Sequence, residues 1–218
     1  MARYKPYVIM NAAMTLDGKI ASNSGDSKIS SRLDLERVHE LRSKVDAILV
    51  GINTVLTDNP LLTARHGRKN PMRVIVDSKG RIGFATKIMR SCNAILTIIA
   101  LSEKAPKSKI KKLKSLGASV FVCGKSRVDL KKLLVMLKDS GVNKLLVEGG
   151  GEINWSMLTN GLVDEVTVTV APKMIGGREA VTLVEGKGFS MINKGIKLKL
   201  IGMKKISNEV VLSYKIIN

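Results

Sequence analysis

A chain of 218 residues that is 44% hydrophobic, with a mean hydropathy of +0.10, has ample length for a packed core and too much apolar content to stay disordered. Its 37 Lys+Arg against 18 Asp+Glu give a formal charge of +19 and an isoelectric point near 10.1, a field that concentrates polyanions, whether nucleic acid or phosphorylated small molecules. Aromatics make up only 3%, which leaves little to stack on bases, and no apolar run approaches the ~20 residues of a membrane span.

Tyr7 to Met14 is an apolar run of strand length, Leu16-Asp17-Gly18 a turn signal, and Lys19 to Ala21 a second short run. After loop chemistry at Asn23 to Asp26, Ser30 or Ser31 caps a helix running to about Val45, with Leu35, Val38, Leu41 and Val45 as its apolar stripe. Arg42 falls on or beside that stripe. There it either lays its stem along apolar surface or joins Arg65, from the polar loop over Leu61 to Pro71, in a fork for a phosphate. Ala47 to Val50 is a strand, and Gly51 opens a short helix through Asp58 that Asn59-Pro60 stops. Arg73 to Val76 is a strand ending at Asp77, with a turn over Ser78 to Arg81. Ala94 to Leu101, interrupted by Thr97, and Ser119 to Val122 are further strands. Helices fall over Lys107 to Leu116, with Ile110, Leu113 and Leu116 inward, and over Leu130 to Lys138, closed by Gly141. The lysine cluster from Lys104 to Lys114 reads as the solvated face of the first of these.

From Val163 the pattern changes. Val163 to Val170 alternates, and two strand-like runs follow, Ile196 to Ile201 and Val210 to Ile217, with no helix pattern between them. Alternating strand and helix early in the chain predicts a parallel α/β sheet, and the helix-free tail predicts antiparallel strands added at one edge. No linker or repeat interrupts residues 1–218, which read as a single domain. Cys92 and Cys123 lie far from any Cys or His at metal-ligand spacing, and His39 and His66 are isolated, so no metal is expected; both thiols are expected free in a reducing cytoplasm, with one disulfide between them as the alternative. The opening Met-Ala-Arg-Tyr-Lys-Pro has no apolar signal core, and nothing in it directs export.

One stretch organises the rest: Lys144-Leu-Leu-Val-Glu-Gly-Gly-Gly-Glu-Ile-Asn-Trp-Ser-Met-Leu158. A buried strand to Val147, a break at Glu148, three glycines and a helix from Glu152 form the geometry in which bare N–H groups at a helix start meet an anion. The competing reading is a glycine turn joining a strand to a packed helix; neither a GxGxxG nor a P-loop spacing is present. In open α/β sheets ligands gather beyond the carboxyl ends of the strands. There stand Thr54 and Asp58, then Asp77 and Ser78, then Glu148 with the glycines, a recurrence that points to a cleft for a small phosphorylated ligand.

These residues carry a resemblance. Met14-Thr-Leu-Asp-Gly-Lys-Ile-Ala21, Gly25-Asp-Ser-Lys-Ile-Ser-Ser31, Gly51-Ile-Asn-Thr-Val-Leu-Thr-Asp-Asn-Pro-Leu-Leu-Thr63, Leu146-Val-Glu-Gly-Gly-Gly151, Leu162-Val-Asp-Glu165 and Ala171-Pro-Lys173 with Gly176-Gly177 resemble, in order and over nearly the whole chain, the riboflavin-pathway reductases. Those enzymes form the reductase half of bacterial deaminase–reductases and stand alone in archaea and fungi. The resemblance implies a dihydrofolate-reductase-like α/β fold: a mostly parallel central sheet, antiparallel C-terminal strands, and helices on both faces. It also implies a homodimer, and NADPH (with NADH as the alternative) reducing the ribose of a ribosylaminopyrimidine 5′-phosphate to a ribityl chain.

Carried over by position, Thr54, Asp58, Ser78, Lys79, Gly80, Arg81, Gly150, Gly151, Glu152, Ile153 and Asn154 are expected at the cofactor, with Ser78, Lys79 and Arg81 placed for its 2′-phosphate. Ser27, Arg42, Leu62, Arg65 and Glu148 are expected at the substrate, the two arginines on its 5′-phosphate. Lys28 stands where bacterial relatives often have Trp. Asp17 and Lys19 are the candidates for assisting ring opening or proton transfer; a tight Asp-Gly turn beside a solvated lysine is the plain alternative. The zinc-deaminase signature H-x-E…P-C-x-x-C is missing from the sequence, which favours the stand-alone form acting on the 2,5-diamino-pyrimidinone. The deaminated uracil is the rival substrate, and a basic nucleic-acid-binding module is the rival from another class.

Overall fold

The computed structural model describes residues 4–65 and 69–217, and His66 lies outside them. The chain divides into two compact units, each built from two stretches: Met1–Tyr7 with His39–Leu146, and Val8–Val38 with Val147–Asn218.

The first unit carries β2 (Ala47–Gly51), β3 (Met72–Val76), β4 (Thr97–Leu101) and β5 (Ser119–Val122), parallel and in the order β5-β4-β3-β2. β6 (Lys144–Val147) lies beyond β2, and the division between units falls at its last residue. Parallel strands need a crossover each, and helices supply most of it: α2 (Ile52–Asp58), α3 (Lys87–Arg90), α4 (Lys107–Ser115) and α5 (Leu130–Asp139). Helices on the sheet leave the strands no wet face. Ile48, Leu49, Val50, Val74, Ile75 and Ile99 are each 0% exposed, which explains why these strands read as unbroken apolar runs and not as alternation. α5 shows how the sequence sets a helix. Asp129 caps it by accepting from Lys132 N (3.0 Å), while Leu130, Leu133, Leu134 and Leu137 form one buried stripe. Each fully buried leucine contributes on the order of 1.5–3 kcal/mol.

The second unit carries most of β1 (Tyr7–Thr15), then α6 (Gly151–Thr159), β7 (Glu165–Ala171), β8 (Lys197–Ile206) and β9 (Glu209–Ile217), in strand order β1-β7-β9-β8. β1 pairs parallel with β7; β9 runs antiparallel to both β7 and β8. The expected antiparallel tail is therefore present. β8 is exposed along nearly its full length.

Three local expectations fail for physical reasons. α1 (Arg32–Ser43) stops short of Val45, and its buried residue is Asp34 while Leu35 stays 45% exposed. Of the expected stripe Val38 and Leu41 are half-buried, and polar bonding takes the most buried place: Asp34 Oδ1 accepts from Arg37 Nε (2.8 Å) and Thr169 Oγ1 (2.7 Å), and Arg37 Nη2 donates to Asn11 Oδ1 and Thr169 Oγ1 (3.1 Å each). Lys19 to Ala21 forms one bridge, Lys19 with Thr182, in place of a strand. β4 starts at Thr97 and not Ala94, because α3, which the sequence reading missed, ends in a turn through Ile95.

Candidate active site

In the first unit the turn after β3 is built around Asp77, which is 0% exposed. Its Oδ2 accepts from Ile82 N (2.8 Å), and its carbonyl accepts from Gly80 N (3.1 Å), where φ +71 makes the corner that glycine allows. Asp77 Oδ1 is buried with no partner among the described residues. Ser78 is anchored from two sides. Its Oγ accepts from Val128 N (3.0 Å), and its carbonyl accepts from Ser102 N (3.2 Å) and Ser102 Oγ (2.7 Å). The Ser78 hydroxyl keeps its own proton to donate. Lys79 and Arg81 are exposed, and Arg81 Nη2 donates to Asn53 Oδ1 (2.7 Å), tying the turn to α2 beside half-buried Thr54; Asp58, at the other end of α2, is exposed. Thus Ser78, Lys79, Gly80 and Arg81 share one turn, next to Thr54.

The loop after α2 is gripped at close intervals. Asn59, the C-cap of α2, has φ 42, and its Oδ1 accepts from Lys87 N (2.9 Å). Leu62 has φ 55 and is 3% exposed. The Thr63 carbonyl accepts from Arg42 Nη1 (3.2 Å) and lies 2.9 Å from His39 Nδ1. Arg42 is thereby held against the loop that carries exposed Arg65.

In the second unit Asp17, Gly18 (φ +80) and Lys19 form the turn after β1. The Asp17 carboxylate accepts from Thr15 Oγ1 (2.6 Å), Gly176 N (2.7 Å) and Ile175 N (3.3 Å). The Thr15 hydroxyl first, and the Gly176 N–H after it, hold its pKa below the usual carboxylate value. Such a group stays ionised, which suits a clasp on residues 175–176 better than a proton donor. Lys19 is half-buried, and its Nζ donates to Ala180 O (3.0 Å). Ser27 lies exposed on a loop fixed from outside. Lys173 Nζ donates to Lys28 O and Ile29 O (3.3 Å each), and buried Glu209 accepts from Ser31 N (2.7 Å) and Ser31 Oγ (2.5 Å).

Glu148 is half-buried, one residue beyond β6, and Gly150 is the N-cap of α6 with no side-chain cap bond. Gly151 serves another purpose than open approach. A Cβ there would stand 2.3 Å from Glu185 Cγ and 2.6 Å from Thr182 O, so the chain's own 182–185 segment fills the space. Asn154 is buried, its Nδ2 donating to Leu183 O (2.8 Å), and its Oδ1 has no partner among the described residues. That oxygen is an acceptor, fitted to an N–H or O–H group and unsuited to a phosphate oxygen. Ile153 is half-buried; exposed Glu152 lines an open cavity of about 440 Å³ with Arg178, Thr182, Glu185 and Lys187.

Within the first unit, hydroxyl and cationic groups on the turn after β3, with Asp77 Oδ1 buried and without a partner among the described residues, fit a ligand carrying both phosphate and N–H or O–H donors, as a nicotinamide dinucleotide does. Among the described residues no His, Cys, Asp and Glu side chains gather in a metal-binding group, and no helix is long and apolar enough to cross a membrane.

A sequence model of the RibD C-terminal domain matches residues 6–212. The chain belongs to the RibD C-terminal domain family. A relative in this family, the 2,5-diamino-6-ribosylamino-4(3H)-pyrimidinone 5′-phosphate reductase of Methanothermobacter thermautotrophicus, is 46% identical over 216 residues, covering 97% of this chain and 99% of that protein. Among solved structures, Acinetobacter baumannii RibD superposes with a TM-score of 0.87 at 27% identity; all of this chain is covered, and it spans 59% of that one. Dihydrofolate reductase from Enterococcus faecalis, solved with NADP(H), gives 0.57 at 11% identity and 97% coverage of each chain, a likeness of fold alone. The RibD C-terminal domain fold is thus dihydrofolate-reductase-like α/β, as the resemblance implied.

Sequence reasoning missed Arg73 and Glu209. A signal for the first existed: Arg73 and Thr97 are polar interruptions of two apolar strands, and the strands pair them in register.

Proposed function

We propose that this chain is a reductase of riboflavin biosynthesis that uses NADPH to convert the ribosylamino group of 2,5-diamino-6-ribosylamino-4(3H)-pyrimidinone 5′-phosphate to a ribitylamino group. The observation that carries the reading is 46% identity to the reductase of that name over 99% of its length. The single reductase domain expected over 1–218 is part of the proposal, supported by a family match that runs unbroken through residues of both units.

When bound, the reduced nicotinamide supplies a hydride to ribose C1′. The chain's own residues bind, orient and move protons. Arg42 and Arg65 take the 5′-phosphate, the planar guanidinium matching its oxygens. Leu62 packs on the substrate, with Ser27 and Glu148 offering polar contacts. Opening of the ribose breaks the C1′–O4′ bond as the nitrogen lone pair forms a C1′=N iminium that keeps its N–H, so hydride at C1′ yields the ribitylamine with no further proton; the ring oxygen takes the one proton required, for which Lys19 is the donor. Asp17, held ionised, keeps the turn that places Lys19. Ser78, Lys79 and Arg81 receive the 2′-phosphate and so favour NADPH over NADH, while Thr54, Asp58, Gly80, Gly150, Gly151, Glu152, Ile153 and Asn154 border the remainder of the cofactor; for Asn154 the contact is a donor group, and Gly151 contributes through its packing.

The protein acts as a homodimer in the cytoplasm. Exposed apolar residues on β8 support the first, and two free buried cysteines the second.

NADPH oxidation followed with the diamino-pyrimidinone ribosylamine phosphate and with its deaminated uracil counterpart tests the reading. Turnover of the diamino compound is expected. Turnover of the uracil alone would move the enzyme to the step after deamination. Silence with both, in folded protein, would refute a reductase of this pathway.

A further inference from the structure

Arg73 occupies the one place in the first unit where a guanidinium has least reason to be. It sits on β3 between β2 and β4, is 0% exposed, and is followed by Val74 and Ile75, both also 0% exposed. Among the described residues its contacts include no carboxylate. Nε and Nη2 donate to Thr97 Oγ1 (3.0 and 2.7 Å), Nη1 to Ser91 Oγ (2.8 Å) and Leu61 O (3.2 Å), and Nη2 to Ile88 O (3.1 Å) and Ile95 O (3.2 Å). Burying a cation without a counter-ion is costly, and burial pushes this guanidinium down to about 10, still charged at neutral pH. An aliphatic side chain would fill the volume without that penalty, so the charge must secure something an aliphatic cannot.

What it reaches is the backbone of the ligand loop. Leu61 O, one of its acceptors, immediately precedes Leu62, whose φ of 55 is a left-handed conformation disfavoured for a residue with a branched side chain. Such a conformation persists only where the surroundings over-determine it. Here the carbonyls on either side of Leu62 are both held, Leu61 O by Arg73 and Thr63 O by Arg42. The same guanidinium binds Ile88 O and Ser91 Oγ at α3, and Asn59 Oδ1 accepts from Lys87 N, so α3 braces the loop at two points.

We propose that Arg73 is a positioning residue for substrate: it fixes the left-handed turn at Leu62 and so sets the places of Leu62, Arg65 and Arg42 around the phosphorylated end of the pyrimidine ribosylamine. The inference rests on the substrate roles given to those three residues above. Arg73 touches neither ligand and acts only through the loop.

The test compares Arg73→Met, which keeps bulk and removes every donor, with Arg73→Lys, which keeps a charge and part of the bonding. NADPH titration by fluorescence gives the competent fraction and the cofactor Kd, thermal melting gives stability, and steady-state rates give KM for the diamino-pyrimidinone ribosylamine phosphate. The expected result for Arg73→Met is a KM raised about tenfold or more with NADPH Kd within about twofold, and a partial recovery in Arg73→Lys. A purely structural arginine would lower melting temperature and competent fraction while KM in the remaining folded enzyme stayed put; that result overturns the inference. Should Arg73→Met not fold, Arg73→Lys alone decides, because an unchanged KM there is equally fatal. Arg65→Ala run alongside separates the two layers. KM raised by Arg65→Ala but not by the Arg73 variants sinks the positioning role alone; KM raised by the Arg73 variants but not by Arg65→Ala upholds it and removes Arg65 from the phosphate. Wild-type enzyme inactive on this substrate overturns both together.

Discussion

Asp17 and Lys19 share a three-residue turn but are held by different partners. Three donors hold the Asp17 carboxylate, and its lowered pKa follows from them, so at neutral pH it has no proton to give. Lys19 is only half-buried, and its Nζ donates to Ala180 O. We expect Lys19→Ala to slow single-turnover reduction by about 10²-fold or more, in the range of positioned acid–base groups, while Asp17→Asn keeps the rate within a few-fold. Equal losses in a rapid-quench comparison would contradict the division. The two variants also differ in pH dependence. Because the folded pKa of Asp17 lies below its ordinary carboxylate value, its contribution to stability is present above that value and is lost as pH falls through the folded pKa. Melting temperatures scanned downward from neutral pH should therefore fall more steeply at the acid end in wild type than in Asp17→Asn.

At the scale of elements, α6 depends on a residue without a side chain. A Cβ at Gly151 would meet Glu185 Cγ, which can swing aside, and Thr182 O, which is backbone and cannot move without carrying its segment. Glu185 N also donates to Gly151 O (3.2 Å), so the contact is two-way. Gly151→Ala is expected to destabilise by about 1–3 kcal/mol, as overpacking does, measured by urea unfolding, and to weaken NADPH binding as the start of α6 shifts. Unchanged stability would mean that the 182–185 segment yields freely. The same stretch shows how far local pattern reading reaches. Strand, glycines and helix were legible from 144 to 158, since each obeys its own local rule. The packing purpose of Gly151 was not, because its partner lies some thirty residues away. α1 failed in the same manner: helical spacing selected Leu35 for burial, whereas Asn11 and Thr169, on β1 and β7, make a polar seat that takes Asp34 and Arg37.

For the molecule as a whole, a charge of +19 and the exposed edge strand β8 raise the question of partners. On β8, Leu200 is 51%, Ile201 50% and Met203 73% exposed, on a strand with unpaired backbone at its free side. A long exposed edge with apolar side chains among its lysines is a surface another strand can pair with. If a second copy covers it, Met203→Glu should halve the mass seen by sedimentation equilibrium; an unaltered dimer would put the interface elsewhere, and a monomeric wild type would remove it altogether.

The sequence by itself determined the family, the order and kind of most elements, the parallel-then-antiparallel character of the strands and the identities of the candidate ligand groups. Each of these is carried by short-range signals: apolar runs, caps, glycine turns and in-order motifs. Tertiary structure alone decided which of those groups are engaged and how. It tied Asp17 to residues 175–176, filled the space at Gly151, left Asn154 Oδ1 without a partner among the described residues, and set Arg73 under the loop at Leu62. These facts depend on residues brought together from distant parts of the chain, where hydrogen bonding and close packing act through space and leave no periodic trace in the sequence.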